Sequence, residues 1–146
     1  LVDKRIVNKL YEASKAGVKI QLITRGLCVL IPGIPNLSEN IEAFSIVDKF
    51  LEHSRVYIFC NNDDNKYVIS SADLMVRNLD HRIEVACPVY DKEIQKELRK
   101  MLDIQLSDNC KARIISKDKP NKYKKSSSSE KVRAQVEIYK YLKGKL

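Results

Sequence analysis

The sequence has no apolar run approaching the ~18 residues of a membrane span. Its opening residues, LVDKRIVNKLYE, are charged throughout and do not look like a signal peptide. It has no GxGxxG and no GKS or GKT, so any nucleotide has to be held by side chains rather than by a glycine-rich loop. Its 2 histidines are too few for a His-rich metal site. Its 4 cysteines, Cys28, Cys60, Cys87 and Cys110, include no pair at the spacing of a zinc knuckle or a CxxC redox site. Cys28, Cys60 and Cys87 fall in or beside expected strands, so buried free thiols in a reducing, cytoplasmic compartment are expected. There is no initiator Met and the chain begins inside an expected helix, which predicts a fragment with a domain upstream.

What is present is an ordinary globular composition: 146 residues, 44% hydrophobic and 32% charged, enough for one domain with a sizeable core. The net charge of +8 is unevenly placed. Residues 1–110 carry 15 Lys and Arg against 16 Asp and Glu, whereas residues 111–146 carry 12 against 3. The basicity is a property of the C-terminal quarter, which suits either attraction of a polyanion or a solvated face.

Residues 3–16 are expected to be helical, with Ile6, Val7, Leu10 and Ala13 on one face and Gly17 as the stop. Val18 to Ile23 alternates as a strand and ends at Thr24, Arg25 and Gly26, where open α/β sheets place ligand contacts. Leu27 to Ile31 is apolar, and Pro32, Gly33 and Pro35 then enforce a rigid, non-helical loop. Ser38 is expected to cap a helix running to about Glu52, its face made by Ile41, Phe44, Val47, Phe50 and Leu51. Strands are expected at 55–60 and 66–70, joined by an NNDDN turn, and at 83–89, buried on both faces. Asp91 caps a helix with Ile94, Leu98, Met101, Leu102 and Leu106 inward, and 112–115 is a short strand. Residues 117–129 read as a loop or linker. A last helix with a Ser127–Glu130 capping box and an apolar side of Val132, Val136, Tyr139 and Leu142 is expected to dock on the body. Residues 1–116 are thus one expected domain, and 117–146 a basic loop and helix packing on it.

The polar side chains concentrate between Phe50 and Glu84. His53, Ser54 and Arg55 precede one strand; Ser70, Ser71 and Asp73 follow the next; Arg77, Asn78, Asp80, His81, Arg82 and Glu84 come after. A His two residues from an Arg at a strand edge shares its face, and the planar guanidinium suits phosphate. A lone His beside a strand is more often structural; the second cluster shifts the balance toward a phosphoryl site. Glu84 needs a cationic partner, and Arg82, two residues away, is the expected one. The competing reading of that pair is a salt bridge that only orders a loop. The commoner role for Ser70, Ser71 and Asp73 is capping of the next helix. Asp3, Glu12, Glu39 and Asp48 are expected on solvated helix surfaces.

The ordered run Gly17-Val18-Lys19-Ile20, Leu22-Ile23-x-Arg25-Gly26, Pro32-Gly33-Ile34-Pro35, Ser38-Glu39-Asn40-Ile41, Ser45-Ile46-Val47, Phe50-Leu51-Glu52-His53-Ser54-Arg55, Ser70-Ser71-Ala72-Asp73 and Arg77-Asn78-Leu79-Asp80 resembles the C-terminal part of bacterial polyphosphate kinases of the long multidomain type. The resemblance spans residues 1 to about 115. It implies an α/β, phospholipase D-like fold, a mixed sheet sandwiched between helices, and the second of two such domains that share an active site. It further implies reversible transfer of the terminal phosphoryl of ATP to inorganic polyphosphate through a phosphohistidine on the preceding domain. Arg25 and His53 match ATP-contacting positions, Arg82 and Glu84 match residues near the nucleotide phosphates, and His53 is the assisting catalytic histidine. Mg2+ is implied to be held mainly outside this stretch, so no metal ligand is assigned here. The implied partners are ATP or ADP, polyphosphate, the preceding domain of the same polypeptide and further copies in a homo-oligomer, with no nucleic acid. The implied placement is cytoplasmic or membrane-associated. Ile31, Phe44 and His81 stand where the family commonly has Arg. The alternatives are a non-catalytic polyanion-binding module of this fold, with the basic tail as its grip, and a phosphodiesterase, which His53-x-Arg55 disfavours because those enzymes use His-x-Lys.

Overall fold

The structure, a computed structural model, describes residues 1–118, 121–125 and 129–145. The first helix, α1 (Lys4–Lys15), starts at Asp3, whose carboxylate accepts from the Arg5 and Ile6 amides and from the Arg5 side chain. Asp3 is 1% exposed, not a solvated surface residue as its sequence context suggests, because the cap sits under the chain near Leu74. Gly17, at φ +87°, then turns the chain into β1 (Ile20–Thr24).

The next element corrects the sequence expectation. Residues 38–52 contain no helix but β2 (Ile41–Ile46), paired in parallel with β1 from Ile20↔Ile41 to Thr24↔Ser45. Ser38 is not an N-cap either. It is buried, its Oγ donating to the Ile31 carbonyl and accepting from the Ile34 amide, and so it closes the Pro32–Pro35 loop on itself. The reason is that β2 is the middle strand of its sheet and buries both faces: Ile41 and Ala43 on one side, Phe44 and Ile46 on the other. Burial on both faces erases the alternation that marks a strand.

The chain then forms β3 (Val56–Phe59), β4 (Lys66–Ser70), α2 (Val76–His81), β5 (Ala86–Val89), α3 (Lys92–Ser107), β6 (Ala112–Ile114) and α4 (Ala134–Lys143). Two three-stranded sheets result. One is mixed, in the order β1-β2-β6 with β6 antiparallel, and the other is antiparallel, in the order β3-β4-β5. The α/β class with a mixed sheet between helices therefore holds. On one face of that sheet Val7 of α1 packs with Leu30 and Ile41; on the other, Phe44, Ile46 and Ala112 pack with Ala134 of α4 and with Ile104 and Leu106 of α3. Each such large apolar side chain contributes about 1.5–3 kcal/mol when fully buried.

In the second sheet the β3–β4 turn places Asn61, Asn62 and Asp63 at positive φ, the conformation that Asn and Asp tolerate. The expected strand 83–89 shortens to β5 and is exposed along most of its length rather than buried on both faces, because no helix among the described residues covers that side. Cys60 and Cys87 are accordingly exposed and Cys28 half-buried, so none of these three free thiols is buried as expected; Cys110 is half-buried as well. In α3 the buried residue is Gln95, which donates to the Val89 carbonyl, while Ile94 faces solvent. Ser127 of the expected capping box lies outside the described residues; α4 begins at Ala134, after Arg133.

Asp48 is likewise not solvated. Its side chain is 2% exposed and is gripped by Arg133, with Nε at 2.8 Å and Nη2 at 2.6 Å. The Arg133 guanidinium holds the Asp48 carboxyl below the ordinary value of 3.8. A carboxyl depressed by folding contributes stability that is complete above its unfolded pKa and is lost as pH falls through its folded one. Thermal unfolding midpoints should therefore hold level from neutrality down to about pH 4 and drop below it. Asp48→Asn should flatten that acid limb, and an unchanged limb would deny the pair this role.

Candidate functional site

The link 47–55 between the two sheets carries the candidate histidine, and three contacts fix its path. Arg133 holds Asp48. The Gln135 amide accepts from the Phe50 N–H at 2.9 Å and donates to the Phe50 carbonyl at 2.7 Å, clasping the link to α4. Arg25, just past β1, donates through Nη1 to the Glu52 carbonyl at 3.3 Å. Residues 46–52, with Arg25 and Gln135, line a groove of about 160 Å³. Arg25 is thereby brought within one residue of His53, although the two lie 28 positions apart in sequence.

His53 is half exposed and sits between a cation and a carboxylate. Its Nε2 lies 2.6 Å from Arg55 Nη2 and 3.3 Å from Asp73 Oδ1, while Arg55 Nε donates to the same Asp73 oxygen at 2.9 Å. One ring nitrogen cannot accept from Arg55 and donate to Asp73 at once. Unprotonated Nε2 is held by Arg55; protonated Nε2 turns to Asp73. The Arg55 guanidinium, helped by His53, keeps the Asp73 carboxyl below its ordinary range. Asp73 is therefore not a helix cap, the role its context suggests: α2 follows Met75 with no side-chain cap. The sequence marked Asp73 only as a neighbour of serines, and no local signal pairs it with Arg55 across the hairpin.

Glu84 also finds partners other than the expected one. It accepts from Ser71 Oγ and, at 2.7 Å, from Asn78 Nδ2. These two bonds are the main cause of its lowered pKa, with the Arg82 and Arg55 charges adding less. Ser71 Oγ also accepts from the Val85 amide, and Ser70 Oγ donates to the Val85 carbonyl, so the two serines stitch the loop after β4 to the segment before β5. Arg82 and Arg77 are exposed and form no ion pair among the described residues. His53, Arg55 and Asp73 make one cluster and Ser71, Asn78 and Glu84 a second. Arg25 joins the first through the Glu52 carbonyl, and Arg82 approaches the second by charge alone.

Of the three positions that depart from the family pattern, Phe44 packs in the apolar cluster with the Lys124 ammonium 4.5 Å above its ring. Ile31 is part of the loop over α1, and His81 is an exposed last residue of α2. Among the described residues no group of three or more His, Cys, Asp or Glu is arranged to hold a metal ion. Asp73 and Glu84 are already committed to Arg55, Ser71 and Asn78, so the residues present do not fit a magnesium site.

Comparison with known proteins bears on this arrangement. The family described as "Polyphosphate kinase C-terminal domain 2" matches residues 1–135. Over 143 residues, 98% of the chain, the sequence is 54% identical to a polyphosphate kinase of Vibrio parahaemolyticus, of which it covers 20%. It is 50% identical to that of Escherichia coli over the same length, covering 21%. The crystal structure of polyphosphate kinase from Porphyromonas gingivalis superposes with a TM-score of 0.94 at 50% identity, over 99% of this chain and 22% of that one. The chain thus spans about a fifth of the length of the curated relatives it matches.

Proposed function

We propose, from the premise that this chain belongs to the polyphosphate kinase C-terminal domain 2 family and has its phospholipase D-like fold, that it supplies one half of an active site moving the terminal phosphoryl group of ATP onto inorganic polyphosphate. The observation that carries the reading is the setting of His53: its Nε2 is 2.6 Å from Arg55 and 3.3 Å from Asp73, with Arg25 anchored one residue away. In the forward direction the bond between the γ-phosphorus and its bridging oxygen breaks and a phosphorus–nitrogen bond forms on a histidine of the preceding domain. That bond then breaks as a terminal oxygen of the polyphosphate chain takes the phosphoryl group. Within this division of labour Arg25 and Arg82 bind phosphate oxygens, which need cationic donors where charge develops. His53 holds or moves a proton at Nε2, its state set by the choice between Arg55 and Asp73. Glu84, fixed by Ser71 and Asn78, keeps its negative charge beside Arg82 and limits where that cation can reach. No step is routed through magnesium by these residues.

The test is ATP-dependent polyphosphate formation, read as labelled phosphate in acid-insoluble polymer. The full-length protein is expected to make polymer; residues 1–146 alone are expected to make none. Steady synthesis by these residues alone would sink the division of labour, and no synthesis by the full-length protein would sink the reading itself. No described helix is long and apolar enough to cross a membrane. A non-catalytic polyanion-binding module is the second reading, favoured by the basic C-terminal quarter. It requires binding that survives loss of Arg25 and Arg82 and vanishes without residues 117–146.

A further inference from the structure

The face of the mixed sheet that α1 covers is only half covered. α1 and the loop after β1 pack over Ile20, Leu22 and Ile41, toward the N-terminal ends of the parallel strands. Alternation puts Ser45 and Val47 on the same face, further along β2. Ser45 is the register partner of Arg113 on β6, and Ile46 that of Ala112, so Lys111 falls beside Val47. A bridge between Arg113 and Tyr123 adds the returning chain as a further edge. Ser45, Val47, Lys111, Arg113, Asn121 and Tyr123 line an open groove of about 410 Å³ there, and no carboxylate is among them.

The cations in this groove are placed with their donors to spare. The Arg113 guanidinium lies 3.4 Å from the centre of the Tyr123 ring and donates through Nη1 to the Asn121 carbonyl at 2.7 Å. Its Nε and Nη2 have no partner among the described residues, so a guanidinium fixed on two sides presents free donors. The Lys111 ammonium is 4.0 Å from Asp48, a carboxylate already held twice by Arg133. The groove abuts the Arg25 groove, because Val47 lines both and Ser45 Oγ donates to the Arg25 carbonyl at 3.3 Å. Both lie at the carboxyl ends of β1 and β2, the edge where α/β sheets receive ligands.

We propose that Lys111, Arg113, Asn121 and Tyr123 form a separate subsite for the oxyanions of a linear phosphate chain, holding a stretch of polyphosphate remote from the reacting end. The assignment rests on the transfer reading above. A lysine point charge, whose nearest carboxylate is already gripped by Arg133, and an arginine fork with no carboxylate among the residues lining the groove suit repeated, closely spaced oxyanions. A subsite away from the reacting end acts on chains long enough to reach it and leaves short ones unaffected.

The experiment uses the full-length protein with Lys111→Gln, Arg113→Gln and both together, and measures KM for a long linear polyphosphate, for tripolyphosphate and for ATP. KM for the long chain is expected to rise about tenfold in the double variant, while KM for tripolyphosphate and ATP stays unchanged. Since Arg113 also packs on Tyr123, Lys111→Gln alone keeps the question open to decision if Arg113→Gln fails to fold. An unchanged long-chain KM in folded Lys111→Gln and double variants overturns the subsite. An equal rise for tripolyphosphate overturns it as well, because the cations then act at the reacting end. Displacement of long polyphosphate by single-stranded RNA at comparable concentration overturns the assignment in favour of a general polyanion surface. Should the wild-type protein show no transfer, equilibrium binding of polyphosphate separates the two claims: weaker binding by Lys111→Gln upholds the subsite although the transfer reading has failed, and equal binding ends both.

Discussion

His53→Ala in the full-length protein is expected to lower phosphoryl transfer about 10²–10⁴-fold, the range for loss of a positioned proton donor or acceptor. The fall should appear in kcat, with KM for ATP little changed, because on the proposed reading Arg25 and Arg82 still hold the phosphates. The fold should survive. His53 is 45% exposed on the link between the sheets and fills no core cavity, so the change in stability should stay within about 0.5 kcal/mol. Arg55 and Asp73 remain paired through Nε and Oδ1 without the imidazole, so the cluster does not fall apart. Steady-state kinetics beside a thermal melt decide the matter. Wild-type turnover would reduce His53 to a side chain that orders Arg55, and a lowered melting temperature would make any loss of activity structural.

The second large effect concerns stability. Asp108 ends α3 with its side chain inaccessible to solvent, and both carboxylate oxygens are used. Oδ1 accepts from the amides of Cys110, Lys111 and Ala112, at 2.9, 2.6 and 2.9 Å, and Oδ2 accepts from the Ala134 amide at 2.7 Å. One side chain therefore turns the chain into β6 and receives the first amide of α4. Asp108→Ala leaves four amides without their acceptor, each worth about 1 kcal/mol or more when buried, and a loss of about 3 kcal/mol or more is expected in urea unfolding. Asp108→Asn is the more informative variant. Its oxygen can keep the three amides of the turn while its amide group meets the Ala134 N–H, so α4 should loosen before the turn does. Hydrogen exchange across residues 134–143 should rise in Asp108→Asn with 112–114 still protected. Equal exposure of both segments would show that the two oxygens do not act separately.

The sequence made some of this legible and hid the rest for identifiable reasons. The NNDDN turn and α3 with its Asp91 cap were readable because turn chemistry and caps are local. β2 was not: Ile41, Phe44, Val47 and Phe50 imitate a helical stripe, and Ala43 is too small to announce the buried strand. β5 misled in the opposite sense, since an apolar run predicts cover that the described residues do not supply. Arg25, His53, Arg82 and Glu84 stood out by residue type. Their partners did not, because Asp73 meets Arg55 across a hairpin and Gln135 meets Phe50 across 85 positions. The expected Arg82–Glu84 pairing does not form as an ion pair although Arg82 is extended; Glu84 instead accepts from Ser71 and Asn78, partners that lie 13 and 6 positions earlier in the chain.

The division into two sheets has a thermodynamic consequence. Arg25 projects from the end of the mixed sheet, while Arg82 and the Arg55–Asp73 pair belong to the antiparallel one and its loops. On the proposed reading, a phosphate chain gripped by Arg25 and Arg82 together would span the two like a strut. Separating the sheets then releases the ligand, and by the same linkage occupancy opposes their separation. Substrate should therefore sharpen the melting of the whole unit into a single transition, making cooperativity itself a gauge of whether the site is filled.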